Sequence, residues 1–403
     1  MKLVSRHTVA VEDRSTLAGW RASRLPGLDG LRGIAAMAVV LFHFTAWDPF
    51  LRTGQYGGPG LLFWFPYGCL GVELFFIISG FVIFMTLERT TSFVDFAAAR
   101  FARLYPAFLA CMLTSLALIL LFRWGQVPID ARLILANLTM IPQSFGALYV
   151  DGSYWSLRFE LEFYLLAGLT CLVLRCRAPE VPCAIWLAGE LFLRGWVGAM
   201  PMNIVMKATH TSFAHLFVIG IMLYRLRAGQ ATKLTLPLLL LAISIGFFGR
   251  YWSEAPISGV AYGAVTAGFA ALVWIATTSY GRFLSIAPLR FLGRISYPLY
   301  LIHGAAGSEL VARLLTAGWN PNVAVLVTIA SAIGLAWAIS TFVEWPAQRW
   351  LRTRFAAWAN RARRSLNEVL SPGAPHCHCE RSEAIPRKER NAKGIAAPLR
   401  SSQ

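Results

Sequence analysis

Long apolar runs recur along this chain, separated by short polar segments. A helix needs ~20 mostly apolar residues to cross a bilayer, and ten runs reach or approach this length. The predicted spans are 28–47, 68–88, 104–122, 156–174, 182–199, 210–224, 234–250, 257–278, 295–316 and 322–343. The pattern predicts an all-α polytopic membrane protein of about ten transmembrane helices, with a long outer loop between spans three and four.

Lysine and arginine residues are unevenly distributed among the loops between these spans. With a cytoplasmic N-terminus, the inner segments carry 22 of them and the outer loops five. Because positive residues concentrate in short cytoplasmic loops, this asymmetry predicts that both termini are cytoplasmic. It also accounts for much of the formal net charge of +17, which in a soluble chain would favour nucleic acid. We therefore expect membrane lipids, and no nucleic acid, as partners.

Composition divides the 403 residues into three regions. Residues 1–24 form a basic cytoplasmic segment without the apolar core of a cleavable signal peptide. Residues 25–350 form the transmembrane domain, and residues 351–403 are basic and predicted to be disordered. Within the outer loop, residues 133–141 could form an interfacial or re-entrant piece.

The seven cysteines predict neither a disulfide framework nor a metal centre. None lies well inside an outer loop, so no structural disulfide is expected. The run His376-Cys377-His378-Cys379 places adjacent ligands in a polar tail, which suits a tetrahedral metal site poorly.

The first span contains two residues that are costly in hydrocarbon, Arg32 and His43. Eleven residues apart, they share one helix face and lie ~16 Å apart along the axis. Arg32 would then lie near one surface and His43 deep in the membrane. The alternative is that Arg32 extends to the surface and His43 is a hydrogen-bonded packing residue.

The next two spans add an acid, a pair of small residues and two arginines. Glu73 begins the second span near its outer end, and Ser79 with Gly80 lies at its middle, where small residues permit close helix packing. Arg100 and Arg103 share a face at the cytoplasmic mouth of the third span. They could simply obey the charge asymmetry, or they could bind phosphate, which guanidinium groups hold in pairs.

The fourth span begins at Trp155 with Ser156, Glu160 and Tyr164 repeating on one face. A carboxylate inside the membrane is by default a functional candidate. Arg158 and Glu162 can pair with each other at i,i+4, which leaves Glu160 unexplained. In the fifth span, Glu190 and Arg194 have the same spacing, and pairing is again the simplest explanation.

The ninth span carries Ser296, Tyr300 and His303 at i, i+4 and i+7, a polar stripe directed into the helical bundle. Two buried histidines, a buried glutamate and several arginines together indicate a polar chamber with a phosphate-binding entrance on the cytoplasmic side.

These segments resemble the integral-membrane acyltransferase-three family. The matching strings, in the family's order, are LDGLRGIAAMAVVLFH, GVELFFIISGFVIF, RFARLYP, GSYWSLRFELEFYLL, GRISYPLYLIH and VEWP. They cover residues 25–350 approximately. Glu73 stands where members commonly carry Asp, and the spacing from Trp155 makes Glu160, rather than Glu162, the family's glutamate.

The resemblance implies transfer of an acyl group, typically acetyl, from cytoplasmic acyl-CoA to a hydroxyl of a cell-surface glycan or lipid-linked sugar. It also implies residence in the bacterial cytoplasmic membrane, with acyl-CoA as a substrate and no bound cofactor. His43 would activate the acceptor hydroxyl or briefly carry the acyl group, with Glu160 or Glu73 orienting the imidazole.

The remaining candidates are substrate-binding residues under the same resemblance. Arg32, Arg100 and Arg103 would hold the CoA phosphates. The chamber would be lined by Ser79, Trp155, Ser156, Tyr164, Ser296, Tyr300 and His303.

A secondary transporter or flippase for a lipid-linked sugar is the alternative, because it would also contain intramembrane charges around a cavity. The ten predicted spans do not divide into recognisable repeats with matching interrupted helices, which disfavours this reading.

Overall fold

A computed structural model describes residues 25–47, 64–122, 129–176, 178–196, 213–248 and 257–370. Within these ranges all regular secondary structure is helical, as predicted. The α-helices are α1 Pro26–Phe42, α2 Gly71–Leu87, α3 Phe93–Phe122, α4 Ala131–Leu138, α5 Trp155–Gly168, α6 Glu180–Trp196, α7 Ala214–Arg227, α8 Thr235–Gly246, α9 Gly259–Ala276, α10 Ala287–Ile302, α11 Gly304–Thr316, α12 Pro321–Ile339 and α13 Trp345–Leu370.

Five stretches of the described chain are long and apolar enough to cross a membrane: Pro26–Trp47, Pro66–Leu87, Phe93–Phe122, Gly259–Ala276 and Pro321–Ala359. They coincide with predicted spans one, two, three, eight and ten. The other predicted spans correspond to helices that are shorter or interrupted. Ten spans and their orientation therefore remain predictions, whereas a helical membrane protein is supported.

The chain divides into two compact units, Met1–Ala357 and Trp358–Gln403. Helix α13 runs through this boundary to Leu370, so residues 351–370 of the predicted disordered tail are helical. Residues 371–403, with the His376–Cys379 run, lie outside the described residues.

Helices α1 and α10 pack closely because glycines line their contact. A Cβ atom at Gly293 would overlap the carbonyl oxygen of Asp29, and one at Gly33 would lie 2.8 Å from the Leu289 oxygen. Small residues let two backbones approach in this way. Arg32 on α1 is thereby brought beside Ser296 and Tyr300, and His43, directly after α1, beside His303.

Helices α2 and α7 make a second contact of the same kind. A Cβ atom at Gly80 would overlap the carbonyl oxygen of Phe217, and one at Gly220 would overlap that of Ile77. The sequence interpretation of Gly80 as a close-packing position is therefore confirmed.

The segment before α5 packs into the bundle. Asn137 is fully buried, and its amide nitrogen donates to the carbonyl oxygens of Leu133 and Leu148, at 2.9 and 2.8 Å. Its side-chain oxygen accepts from the backbone N–H of Val150 at 3.0 Å. Met140 is buried and lines a cavity together with Arg100. The sequence interpretation had placed Arg100 on the cytoplasmic side and the segment of Met140 on the outer side. Whether this segment is interfacial or re-entrant stays a prediction.

Three breaks in helical geometry occur beside candidate residues. The chain forms π-helical turns at His43–Trp47 and Ser340–Glu344, and α10 ends at Ile302 so that His303 lies between two helices. The predicted ninth span is therefore two helices rather than one. Such π turns are often found at functional sites.

Candidate active site

A small cavity of about 40 Å³ lies among α1, α2, α5 and α10. Its polar lining residues are Arg32, Ser79, Ser156, Glu160, Ser296 and Tyr300. All six were singled out in the sequence, from four motifs far apart along the chain. Apolar residues, including Phe75 and Phe76, complete the walls together with Tyr297, whose hydroxyl donates to the Leu104 carbonyl at 3.2 Å.

Hydrogen bonds hold several of these side chains in place. The hydroxyls of Ser156 and Tyr300 are 2.7 Å apart, which joins α5 to α10. Tyr164 donates to the Glu160 carboxylate one turn away, so it fixes the position of a carboxylate that lines the cavity. The Ser296 hydroxyl donates to the Gly293 carbonyl at 2.9 Å, within its own helix.

The three candidate arginines differ in what they contact. Arg103 pairs with Glu344, whose other oxygen accepts from the Ser340 hydroxyl at 2.8 Å. The Nε atoms of Arg32 and Arg100 are buried and have no hydrogen-bond partner among the described residues. Arg103 is thus already neutralised, whereas Arg32 and Arg100 retain buried donor groups.

Arg100 faces a second cavity, of about 200 Å³, which includes Phe96, Met140 and Tyr164 in its lining. Its guanidinium lies over the rings of Phe96 and Tyr164, with its central carbon 5.8 and 5.9 Å from the ring centres. Arg32 and Arg100 therefore line different cavities, and Tyr164 connects the two through its bond to Glu160.

His43 and His303 form a pair at the end of α1. The Nε2 atom of His303 is 3.2 Å from Nδ1 of His43. The Nδ1 atom of His303 lies 2.8 Å from the Tyr300 carbonyl oxygen, and Nδ1 of His43 lies 2.9 Å from that of Val39. His303 is fully buried and His43 is half-buried.

These partners assign the protonation pattern of the neutral pair. A carbonyl oxygen only accepts, so Nδ1 of His303 carries a proton and its Nε2 carries a lone pair. Both groups around Nδ1 of His43 are then acceptors, so that nitrogen is protonated as well. The basic nitrogen of His43 is consequently Nε2, which makes none of these bonds.

Two candidates lie elsewhere in the described structure. Glu73 is buried in the first turn of α2, and Trp155 packs against Phe159 and Phe213 with ring centres 5.7 and 5.9 Å away. Neither lines the cavity among α1, α2, α5 and α10. Glu160 accepts a hydrogen bond from Tyr164. The predicted role of Glu160 or Glu73 in orienting His43 stays a prediction.

The sequence interpretation missed Asp151, which is fully buried beside this pair of histidines. Its Oδ2 atom accepts from the backbone N–H of Ala305 at 2.7 Å, and Oδ1 accepts from the Ser153 backbone N–H and hydroxyl, at 2.9 and 2.7 Å. Burial raises the pKa of the Asp151 carboxyl, against the opposing effect of these hydrogen bonds. The sequence signal that could have identified it is an acidic residue directly before the string GSYWSLRFELEFYLL, which begins at Gly152.

The sequence interpretation also missed His215, although a polar residue within the predicted span 210–224 is a candidate by the same argument. Its Nδ1 and its backbone N–H contact the two oxygens of Glu190, at 2.7 and 2.8 Å. Arg194 binds the same carboxylate at 2.8 Å, which confirms the predicted i,i+4 pair. The predicted Arg158–Glu162 pair is likewise confirmed, at 2.9 Å.

Comparison with known proteins agrees with the arrangement of these motifs. Residues 25–341 match a family model described as an acyltransferase domain. The chain is 27% identical over 324 residues to the O-acetyltransferase OatA of Staphylococcus aureus, with 69% of this chain and 50% of OatA covered. It is 25% identical over 320 residues to the putative peptidoglycan O-acetyltransferase YrhL of Bacillus subtilis, with 69% and 48% covered.

A third relative is the acyltransferase MdmB of Streptomyces mycarofaciens, 31% identical over 152 residues that cover 36% of this chain and 38% of MdmB. The chain spans about half the length of the first two relatives. No solved structure matches it significantly.

A polar cavity inside an all-helical membrane protein, beside a pair of buried histidines, defines a candidate membrane-embedded transferase. The chain belongs to the acyltransferase-three family, whose model covers most of its length. The chain therefore carries an acyltransferase domain over residues 25–341.

Proposed function

We propose that this protein moves an acetyl group from cytoplasmic acyl-CoA to a hydroxyl of a cell-surface glycan, in the bacterial cytoplasmic membrane. One observation carries the proposal. Tyr300 lines the arginine-bearing cavity, and its carbonyl oxygen holds the histidine that contacts His43. A donor bound at the cavity would thus lie beside a group able to remove a proton.

The buried arginine donors support an anionic donor substrate. A guanidinium nitrogen that is buried without a hydrogen bond is costly, and phosphate oxygens supply the missing acceptors. Arg32 and Arg100 have such nitrogens, whereas Arg103 has Glu344. We assign CoA phosphate binding to Arg32 and Arg100, and we assign to Arg103 a mainly structural role.

The Nε2 atom of His43 is the reacting nitrogen in either of two routes. As a general base, it takes the proton of the acceptor hydroxyl while that oxygen attacks the thioester carbonyl. The carbon–sulfur bond then breaks, and the proton passes to the leaving CoA thiolate. As a covalent carrier, Nε2 attacks the thioester first, the carbon–sulfur bond breaks, and CoA leaves as a thiolate. The acceptor hydroxyl then takes the acetyl group from Nε2 and gives up its proton, which balances the protonation of the thiolate, and the neutral imidazole is restored.

The similarity to OatA and YrhL guides the choice of acceptor. Both are O-acetyltransferases, and YrhL is named for peptidoglycan. We therefore propose a sugar hydroxyl of peptidoglycan, or of another cell-surface glycan or its lipid-linked precursor, as the acceptor.

Radiolabelled acetyl-CoA and purified protein in lipid nanodiscs, with and without peptidoglycan fragments, would test this proposal. The wild type should transfer label to the glycan. His43→Asn keeps an amide N–H where Nδ1–H stands and lacks Nε2, so turnover should fall roughly 10²–10⁴-fold for a general base and almost completely for a carrier.

His215→Asn is the control, because it alters a buried imidazole outside the cavity and keeps the corresponding N–H. Label on His43 without acceptor would identify the carrier route. Full transfer by His43→Asn, or sugar transport by the wild type without any acyl transfer, would overturn the proposal.

A further inference from the structure

Helix α11 begins directly after His303, and its first turn is capped by a side chain from another part of the chain. Its own N-cap residue, His303, makes no side-chain cap hydrogen bond. The Asp151 carboxylate takes this role instead, by accepting from the N–H of Ala305 at 2.7 Å. A negative charge at a helix N-terminus also interacts favourably with the helix dipole.

The Asp151 carboxylate can come this close to the first turn of α11 only because residue 304 is glycine. A Cβ atom at Gly304 would overlap Oδ1 of Asp151. The same oxygen is held from the other side by Ser153, so the carboxylate has little room to move. Asp151 is therefore clamped between the segment before α5 and the start of α11.

The start of α11 also packs on the turn that carries His43. A Cβ atom at Gly307 would overlap the ring of Phe44, the residue after His43. The Phe44 ring lies 6.3 Å from that of His303, centre to centre. The capped turn, His303 and the His43 turn thus form one continuous packed unit.

We propose that Asp151 is a positioning residue of the active site: by holding the first turn of α11, it places His303 so that Nδ1 of His43 stays protonated and Nε2 faces the substrate. The inference rests on the proposed acetyl transfer, and it adds Asp151 to the residues of the active site. Asp151 touches no substrate, and it acts through Ala305 and His303.

Two variants test the proposal in different ways. Asp151→Asn removes the charge and replaces one accepting oxygen with an NH₂ group, which cannot accept from Ala305 or Ser153. Gly304→Ala keeps the charge but pushes the carboxylate away. Each should lower kcat for acetyl transfer by about ten- to a hundredfold, since small displacements of reacting groups have effects of this size. The KM for acetyl-CoA should stay within about twofold of the wild type, because the arginine-lined cavities are untouched.

The chain offers a matched control for each variant. Asp130 caps α4 through the N–H of Leu133 at 2.7 Å, well away from the histidines in sequence, so Asp130→Asn makes the same chemical change at another helix. A Cβ atom at Gly152 meets nothing within 4 Å, so Gly152→Ala changes a glycine beside Asp151 without a clash. Both controls should retain kcat, and thermal unfolding in nanodiscs would verify that all four variants are folded.

The outcomes separate the inference from the function it rests on. Wild-type kcat in Asp151→Asn or Gly304→Ala overturns the inference alone. A parallel loss of kcat, acetyl-CoA affinity and thermal stability, matched by Asp130→Asn, shows a purely structural role and also overturns it. An inactive wild type, with acetyl-CoA and glycan both present, overturns the proposed function and this inference with it.

Discussion

Three histidines, of which His215 and His303 are buried and His43 is half-buried, differ in what their ring nitrogens contact. His215 is bonded to the Glu190 carboxylate through both its ring and its backbone, which ties α6 to α7. His43 and His303 instead contact each other and backbone carbonyls. The Glu190 carboxylate fixes the ring of His215 in place, whereas the contacts of His43 through Nδ1 leave the lone pair of its Nε2 able to take up a proton. The contacts therefore separate a structural histidine from a catalytic candidate.

The arginines can be separated by experiment in the same way. Arg100→Gln should raise the KM for acetyl-CoA about tenfold or more, because one charge-assisted hydrogen bond contributes about 1.5–3 kcal/mol. Lysine at position 100 should rescue only partly, since it keeps the charge but loses the planar fork. Steady-state kinetics at saturating acceptor concentration would measure the change.

Arg354 offers the control for this measurement. Its guanidinium also lies over an aromatic ring, that of Trp350 at 5.4 Å, but it is exposed. Arg354→Gln should leave the KM unchanged. An unchanged KM in Arg100→Gln as well would mean that Arg100 serves only packing or membrane orientation.

At the level of elements, close helix contacts set the geometry of the site. Helix α1 supplies Arg32 and leads into the π-helical turn that begins at His43, and α10 supplies Ser296 and Tyr300 and ends just before His303. The distance between α1 and α10 depends on glycines at their contact, where a side chain would have no space. The site should therefore be sensitive to changes between these helices that touch no polar group.

Gly293→Ala tests this dependence. Its methyl group would overlap the Asp29 carbonyl, so α1 and α10 must separate, and we expect a loss of about 1–3 kcal/mol in the free energy of unfolding together with reduced kcat. Gly268→Ala adds a methyl where nothing lies within 4 Å and should be neutral. Unfolding in mixed micelles and acetyl transfer would report both effects, and a neutral Gly293→Ala would refute the dependence.

The pair formed by Arg103 and Glu344 connects α3 with the π-helical turn after α12. The Glu344 side chain is fully buried and that of Arg103 is 24% exposed. Arg103→Gln should therefore destabilise the protein by about 2–3 kcal/mol, less than for a fully buried pair, because it leaves a buried carboxylate unpaired.

The double variant Arg103→Gln/Glu344→Gln completes a mutant cycle and should recover most of this stability. Retention of donor affinity in the double variant would support the structural assignment of Arg103. If donor affinity is lost in both, Arg103 binds the donor and the assignment fails.

For the whole molecule, apolar length and loop charge predict how the chain crosses the membrane. Five stretches have the length and composition of membrane spans, and the shorter apolar helix Thr235–Gly246 lies within another predicted span. The asymmetry of positive charges still predicts ten crossings with both termini inside.

Reporter fusions would test that orientation directly. Fusions after Arg227 and Arg364 should report the cytoplasm, and fusions after Arg52 and Lys207 the outside. A cytoplasmic signal after Arg132 would contradict the ten-span arrangement. Fusions within the N-terminal segment before residue 25 serve as an internal reference for the cytoplasmic signal.

The sequence alone determined the helical membrane class and most of the cavity's polar residues. Membrane-spanning helices satisfy their own backbone hydrogen bonds, so apolar length and loop charge can be read directly from the chain. Arg32, Glu160 and Tyr300 were identifiable because polar groups are costly in hydrocarbon wherever they occur.

Only the tertiary structure decided which of these groups meet. That Arg103 pairs with Glu344, that His303 contacts His43, and that Asp151 caps the next helix all depend on residues more than 150 positions apart in the chain. Periodicity describes the faces of single helices and carries no information on which faces pack together. The basic nitrogen of His43 follows from those contacts, and so the assignment of its chemistry required the fold.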